Sequence, residues 1–288
     1  MENLIRGVGS SGDPECPMSA VANGSGSSDI FIPDRTYEAS PGIAEALGAV
    51  RSGAPVVLIS GRAGTGKSKL IDYLRKIPGG DGTVVVAPTG ISAIELDAMT
   101  IHKSFELPHG VINASELPAL SVSRIFQEAT RLIIDEISMV RADVLDGIDA
   151  RLRAVRQDER PFGGLQVIMV GDFLQLPPVL LDEERTVFER LGYDNRYAIS
   201  ARCLRGMTVR VAHLSKVWRQ TDLDLINTLS DIRVGRNLNS ALKWLNDNCV
   251  GPHRDGRTPI VLAATREVAK NYNRAGFLNT TQGRSDKI

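Results

Sequence analysis

Val56-Val57-Leu58-Ile59-Ser60-Gly61-Arg62-Ala63-Gly64-Thr65-Gly66-Lys67-Ser68 is the stretch on which the fold turns. It opens with four apolar residues in an unbroken run, as in a strand buried on both faces. Its second half fits G-x-x-x-x-G-K-[ST], and Leu70, Ile71 and Leu74 then take up helical spacing. Strand, glycine-rich loop and helix in that order make a phosphate-binding loop. The glycines let backbone N–H groups turn inward around phosphates, and the helix amino terminus adds partial positive charge. Lys67 is placed to reach β- and γ-phosphates, and the Ser68 hydroxyl to ligate Mg²⁺. Gly61, Gly64, Thr65, Gly66, Lys67 and Ser68 are therefore expected to bind a nucleoside triphosphate. The bland alternative is a glycine-rich turn that matches by chance.

Working outward, further short apolar runs read as buried strands: Val84–Ala87, Leu132–Ile134, Val167–Val170 and Ile260–Leu262. Amphipathic stretches lie between or beside them. In Ala142–Val155 the positions Val144, Leu145, Ile148, Leu152 and Val155 keep helical spacing. Leu223–Ile232, Leu238–Leu245 and Arg266–Phe277 also read as helices. The alternation predicts an α/β fold with a doubly wound parallel sheet.

The 288 residues are a prior for about two domains. No apolar run approaches the roughly 18 residues of a membrane helix, so no membrane partner is expected. Cys16, Cys203 and Cys249 are an odd number without motif spacing. That excludes a disulfide framework and a cysteine zinc site, and fits a reducing compartment. Lysines and arginines number 34 and acids 34, so no overall basic field advertises nucleic acid. Residues 1–40 carry linker chemistry, with Gly9-Ser10-Ser11-Gly12 and Gly24-Ser25-Gly26-Ser27-Ser28. They read as a disordered leader without the apolar core of a secretory signal.

Asp135-Glu136 closes the strand Leu132–Ile134. In open α/β sheets, ligands sit at the carboxyl ends of strands. Asp135 is thus placed to hold Mg²⁺, and Glu136 to orient an attacking water. An ordinary acidic turn is the alternative. The next strand ends in Gly171-Asp172-Phe173-Leu174-Gln175-Leu176-Pro177-Pro178. Gln175 reads either as a γ-phosphate sensor or as part of a structural turn.

These segments together resemble superfamily 1 DNA helicases of the RecD/Pif class, Pif-type. Gly171–Pro178 is similar to motif III, Asp135–Met139 to motif II, Ala87–Ala93 to motif Ia and Thr100-Ile101-His102 to motif Ib. Leu214 followed by Arg219-Gln220 is similar to motif IV. The run from Ser138-Met139-Val140 through Leu145-Asp146, Leu152-Arg153 and Arg156 to Pro161–Gln166 resembles the Pif-type signature. The likeness covers about residue 43 to the end. It implies a P-loop NTPase with a RecA-like first motor domain over 41–213, carrying a small insertion near 103–127. Residues 214–288 would be the incomplete start of a second RecA-like domain.

The resemblance also implies roles. Lys67, Glu136, Gln175 and Arg219 would be catalytic, Gln175 as γ-phosphate sensor and Arg219 as arginine finger. Thr89, Thr100 and His102 would lie along single-stranded DNA, although His102 alone reads equally as a structural histidine. The implied cofactors are ATP and Mg²⁺, and the partners single-stranded and forked or structured DNA. The implied activity is ATP-driven 5′–3′ movement and unwinding, in repair, recombination or telomere maintenance. A monomer is expected, nuclear or mitochondrial in a eukaryote and cytoplasmic in a bacterium or virus. Trp218 is expected to pack between domains, and Trp244 with Leu242 and Leu245 to be core.

Two departures stand out. The family carries an adenine-reading Gln before the first strand; here that stretch is Ser40-Pro41-Gly42-Ile43-Ala44-Glu45, and the first glutamine of the chain is Gln127. Use of other triphosphates is therefore expected. Motifs V and VI are also missing, which suggests a fragment, inactive or weakly active. The alternative function is a nucleotide-gated DNA-binding module that does not unwind; an ATPase acting on protein is a third, disfavoured by Gly163-Gly164 and Gln175–Pro178. Zero net charge then means weak, salt-sensitive, nucleotide-gated grip on one strand in a cleft.

Overall fold

The computed structural model describes residues 40–77, 79–118, 124–249, 261–263 and 265–274. The leader expected over 1–40 lies outside them, except for Ser40. In chain order the elements are α1 (Pro41–Arg51), β1 (Val56–Gly61), α2 (Lys67–Lys76), β2 (Thr83–Ala87) and α3 (Gly90–Glu95). There follow β3 (Met99–Thr100), α4 (Ile101–Ser104), α5 (Arg124–Glu128), β4 (Arg131–Ile134), α6 (Ala142–Arg156) and β5 (Gln166–Gly171). The last are α7 (Asp182–Arg190), β6 (Val209–Leu214), α8 (Leu223–Arg233) and α9 (Leu238–Cys249). The described residues fall into two compact units, one ending at Ala241 and the other beginning at Leu242.

The first unit is built on one six-stranded sheet in the order β3-β2-β4-β5-β1-β6. Every ladder is parallel. Successive side chains of a strand point to opposite faces, and here both faces are covered. Val56, Leu132, Ile134, Val167 and Met169 pack with Val144, Leu145, Ile148 and Leu152 of α6 on one side. Val57, Ile59, Ile133, Ile168 and Val170 pack with Ile43, Leu47, Leu70, Ile71 and Leu74 of α1 and α2 on the other. That double burial is why these strands read as unbroken apolar runs.

Two strands carried no such signal. β3 is two residues long, and β6 is an edge strand in which Arg210, Val211 and His213 are exposed while Ala212 and Leu214 are buried. One expected strand is absent from the described residues. Val261 and Leu262 carry no ladder and Leu262 is 94% exposed; Ile260 lies outside the described residues. An apolar run becomes a strand only where a neighbour takes its backbone hydrogen bonds.

The second unit contains the end of α9 and a helix over 266–274. Residues 275–277 of the expected helix lie outside the described residues. Leu242 is exposed and Trp244 and Leu245 are half-buried, so the trio read as core is not enclosed. α9 and the 266–274 helix fall well short of a bilayer span. Among the described residues no helix is long and apolar enough to cross a membrane.

The Pif-type signature turns out to be an architectural brace. Arg156 of α6 donates to the carbonyls of Gly163, Phe126 and Ala129 at 2.7, 2.9 and 3.0 Å. Arg153 pairs with Asp149 at 2.8 Å, and Asp149 accepts the Phe162 N–H. Asp146 accepts the Tyr193 hydroxyl at 2.6 Å and the N–H groups of Arg202 and Cys203. These bonds tie α6 to the end of α5, to the loop before β5 and to the segment around Tyr193 and Arg202.

Candidate active site

The loop after β1 and the ends of β4 and β5 meet at the carboxyl edge of the sheet. β1 lies next to β5 in register, with Ser60 beside Gly171. β4 lies beyond β5. Three sequence-distant turns therefore open into one cleft.

Gly64 has φ of +76°, a conformation that glycine reaches without strain. A β-carbon there would stand 2.9 Å from the Arg219 β-carbon. The Gly64 carbonyl accepts the N–H of Trp218 at 2.7 Å and of Arg219 at 3.4 Å. The loop is thus pinned to the segment after β6. Gly61 is close-packed too: a β-carbon would meet the Thr65 hydroxyl at 2.6 Å. Thr65 is 1% exposed and its hydroxyl donates to the Arg62 carbonyl at 2.8 Å. Its side chain therefore braces the loop from within.

A cavity of about 570 Å³ is lined by Gly64, Gly66, Lys67 and Ser68 of the loop, Asp135 and Glu136 after β4, Gln175, and Trp218-Arg219. Ser92 and Glu95 of α3 complete one wall. Lys67 Nζ donates to the Gly61 and Arg62 carbonyls at 2.8 and 3.3 Å. Burial lowers its pKa against the opposing pull of Glu136, Asp172 and Asp135, while Arg219 lowers it further. Glu136 takes left-handed backbone angles of 48° and 45° at the head of a 3₁₀ turn, Ile137–Met139. Such strain in a non-glycine residue is held in place by its surroundings and clusters at functional sites.

Asp135 is 7% exposed. Burial pushes its carboxyl up to about 6; the Glu136 N–H opposes this, the Glu136 charge adds to it, Lys67 opposes and Glu95 adds. A buried carboxyl so short of positive charge fits a divalent cation as partner. Among the described residues no cluster of three or more His, Cys, Asp or Glu could hold a metal. Mg²⁺ suits such a place, since it is held by one or two protein groups plus nucleotide oxygens. Ser68 and Asp135 are the groups that fit.

A second cavity, about 510 Å³, adjoins the first and shares Ala63, Gln175 and Arg219 with it. Its walls include Arg62, Asp172 and Arg233, with Leu174, Ile226, Leu229 and Ile232. Sequence reasoning gave no role to Asp172, Arg62 or Arg233. Burial would raise the Asp172 pKa, yet Arg233 and the Leu174 N–H hold it below the ordinary value. Asp172 stood inside a quoted motif; nothing local marked Arg233 or Arg62. Trp218 packs on the α1–α2 face of the first unit, with the Lys216 ammonium 3.8 Å from its ring centroid, and it walls the nucleotide cavity.

The candidate DNA residues are not in that cavity. Thr89 follows β2 and caps α3, its hydroxyl accepting the Ser92 N–H at 3.2 Å and lying 2.7 Å from the Ser92 hydroxyl. Thr100 ends β3. His102 stacks on His109 with ring centroids 5.4 Å apart. Burial, then His109 and Arg141, lower its pKa against Asp143. All three sit at the same carboxyl edge, toward the β3 end of the sheet. Ser92 joins the two regions, touching Thr89 on one side and lining the nucleotide cavity on the other.

A parallel α/β sheet with a phosphate loop after its first strand defines a P-loop NTPase. The chain belongs to the PIF1-like helicase family, which it matches over residues 42–247. It is 36% identical over 214 residues to the ATP-dependent DNA helicase PIF1 of Mus musculus, covering 73% of this chain and 31% of the relative. It is 32% identical over 229 residues to the ATP-dependent DNA helicase RRM3 of Saccharomyces cerevisiae, covering 75% and 30%. Among solved structures, the Bacteroides Pif1 helicase in complex with ADP-AlF3 and ssDNA matches with TM-score 0.74 and 31% identity, over 85% of this chain and 57% of that one. Pif1 helicase from Candida albicans matches at 0.64 and 27%, over 86% and 54%. The chain thus spans about a third of the length of these curated relatives.

Proposed function

We propose that this chain is the ATP-hydrolysing motor core of a DNA helicase. One observation carries the reading: Lys67, Ser68, Asp135, Glu136, Gln175 and Arg219, from four separate segments, wall a single cavity. The names of the relatives, ATP-dependent DNA helicases, support ATP as the nucleotide and DNA as the track.

In this reading Lys67 neutralises the β- and γ-phosphates. Ser68 and Asp135 hold Mg²⁺, which when bound supplies charge to the phosphate oxygens. Glu136 orients the attacking water and takes its proton. Gln175 hydrogen-bonds the γ-phosphate. Arg219 stabilises the charge of the transferring group, a contribution worth roughly 10³–10⁵ in rate where an arginine finger is used. Thr89, Thr100 and His102 contact single-stranded DNA through small polar groups suited to phosphate and sugar. Ser92, touching Thr89 and the nucleotide cavity, gives the two sites a physical link.

We assign the first motor domain to 41–213 and the start of a second to 214–288. The resemblance of the motifs supports 5′–3′ movement, a monomeric motor and work on forked or structured DNA in genome maintenance. A DNA substrate places that work inside the cell.

Binding of a fluorescent ATP analogue, measured beside turnover, tests the reading. Lys67→Ala is expected to weaken binding and lower turnover by roughly 10²-fold or more. Glu136→Gln is expected to keep binding and lose turnover. Unchanged turnover in both variants would refute the site. Binding without any turnover in the unmodified chain would leave the nucleotide-gated DNA-binding reading in its place.

A further inference from the structure

Asp172 opens the turn after β5 and is 1% exposed. A buried carboxylate is costly unless it is paired and hydrogen-bonded. Arg233 of α8 meets it as a fork, Nε to Oδ2 at 2.9 Å and Nη2 to Oδ1 at 2.6 Å. The Leu174 N–H donates to Oδ1 at 3.2 Å. The Gln175 side-chain amide donates to Oδ2 at 3.3 Å, and the Gln175 N–H to the Asp172 carbonyl at 2.9 Å. A bidentate arginine fixes the orientation of a carboxylate as well as balancing its charge. The oxygen that holds the Gln175 amide is therefore set by a helix 61 residues away in sequence.

The same helix grips the phosphate loop. Arg62 donates to the Ser230 hydroxyl on α8, and its other Nη to the Ser215 carbonyl at 3.4 Å. So α8 holds both the loop that would cradle the nucleotide and the turn that carries Gln175.

We propose that Arg233 and Asp172 are a positioning pair for ATP hydrolysis, through which α8 sets the Gln175 amide toward the terminal phosphate. Neither residue touches the nucleotide in this role. Movement of α8 away from the β5 turn releases the carboxylate and with it Gln175, so hydrolysis requires α8 to be docked. The inference rests on the reading of Gln175 as γ-phosphate sensor.

The affinities of the full chain for ADP and for ADP with aluminium fluoride, a mimic of the transferring phosphoryl group, separate the possibilities. The unmodified chain is expected to prefer the mimic. Gln175→Ala removes that preference. Arg233→Ala lowers it by roughly tenfold, the scale of a lost charge-assisted hydrogen bond, with ADP affinity unchanged. Arg233→Ala added to Gln175→Ala costs nothing more. Arg233→Lys, which keeps the charge without the fork, restores part of the preference; it and Asp172→Asn give the same comparison if Arg233→Ala does not fold. A full preference in the Arg233 and Asp172 variants, with loss in Gln175→Ala, overturns the pair and leaves the sensor intact. Additive losses in the double variant also overturn it. No preference in the unmodified chain overturns the sensor reading, and the pair with it.

Discussion

Gly64 and Arg219 stand so close that a single added methyl group would not fit between them: a β-carbon on Gly64 would lie 2.9 Å from that of Arg219. The phosphate loop and the segment after β6 are therefore shaped to one another. Gly64 also sits at φ +76°, where an L side chain costs about 1–2 kcal/mol. Gly64→Ala should push residues 217–219 outward and displace the Arg219 guanidinium. The expected result is a kcat at least roughly tenfold lower, the effect of a misplaced charge-stabilising group, with a smaller change in KM. Steady-state ATPase kinetics check it; an unchanged kcat would mean that Arg219 does not act from this position.

Broad nucleotide use is expected from the amino end of α1. The stretch where the family reads adenine through a glutamine is here the cap and first turn of α1. Gly42 is so tight against the His213 carbonyl that a β-carbon would lie 2.3 Å away, and Ile43 is buried. Those residues serve packing. GTP and CTP should therefore be hydrolysed with kcat/KM within roughly tenfold of ATP, since losing one hydrogen bond to a neutral group is worth about 1 kcal/mol. Side-by-side turnover of the three nucleotides decides this, and strict ATP preference would show that another group reads the base.

Asp146 gives a pH signature to stability. Burial would raise its carboxyl, but the Tyr193 hydroxyl and the Cys203 and Arg202 N–H groups hold it below its ordinary value. A depressed carboxylate contributes stability that is complete above its unfolded pKa and is lost as pH falls through the folded one. Asp146→Asn should cost about 2–4 kcal/mol near pH 7, where it removes a buried charge-assisted network. The gap to the unmodified chain should begin to narrow below about pH 4, where the unfolded chain starts to take up the proton, and should close further as the pH falls through the lower folded value. Urea unfolding from pH 7 down through the acid range below the ordinary carboxylate pKa measures it. A gap that stays constant would mean that the charge of Asp146 contributes nothing.

Much of this was legible in the sequence because the decisive groups sit beside strong local signals. β1, β2, β4 and β5 are buried on both faces, so each wrote an apolar run, and Lys67, Asp135 and Gln175 follow directly at the ends of three of them. β6 was illegible because an edge strand keeps Arg210 and His213 in water. Val261 and Leu262 misled because an apolar run does not carry its own hydrogen-bond partners. Arg233 and Arg62 were missed because long-range pairing leaves no local pattern: an arginine near the end of α8 looks like any other until Asp172 is found beside it. The signature residues Asp146, Arg153 and Arg156 were recognised as a pattern, but only the fold shows that they brace α6, and that Asp149 joins them.

The proposed motor hydrolyses ATP in one cavity in step with a DNA strand held at the same edge of the sheet. ATP turnover by the chain with and without single-stranded DNA tests it most directly. Strong stimulation by DNA is expected, weakened by added salt and abolished by Lys67→Ala and by Glu136→Gln. A rate that DNA leaves unchanged would contradict it.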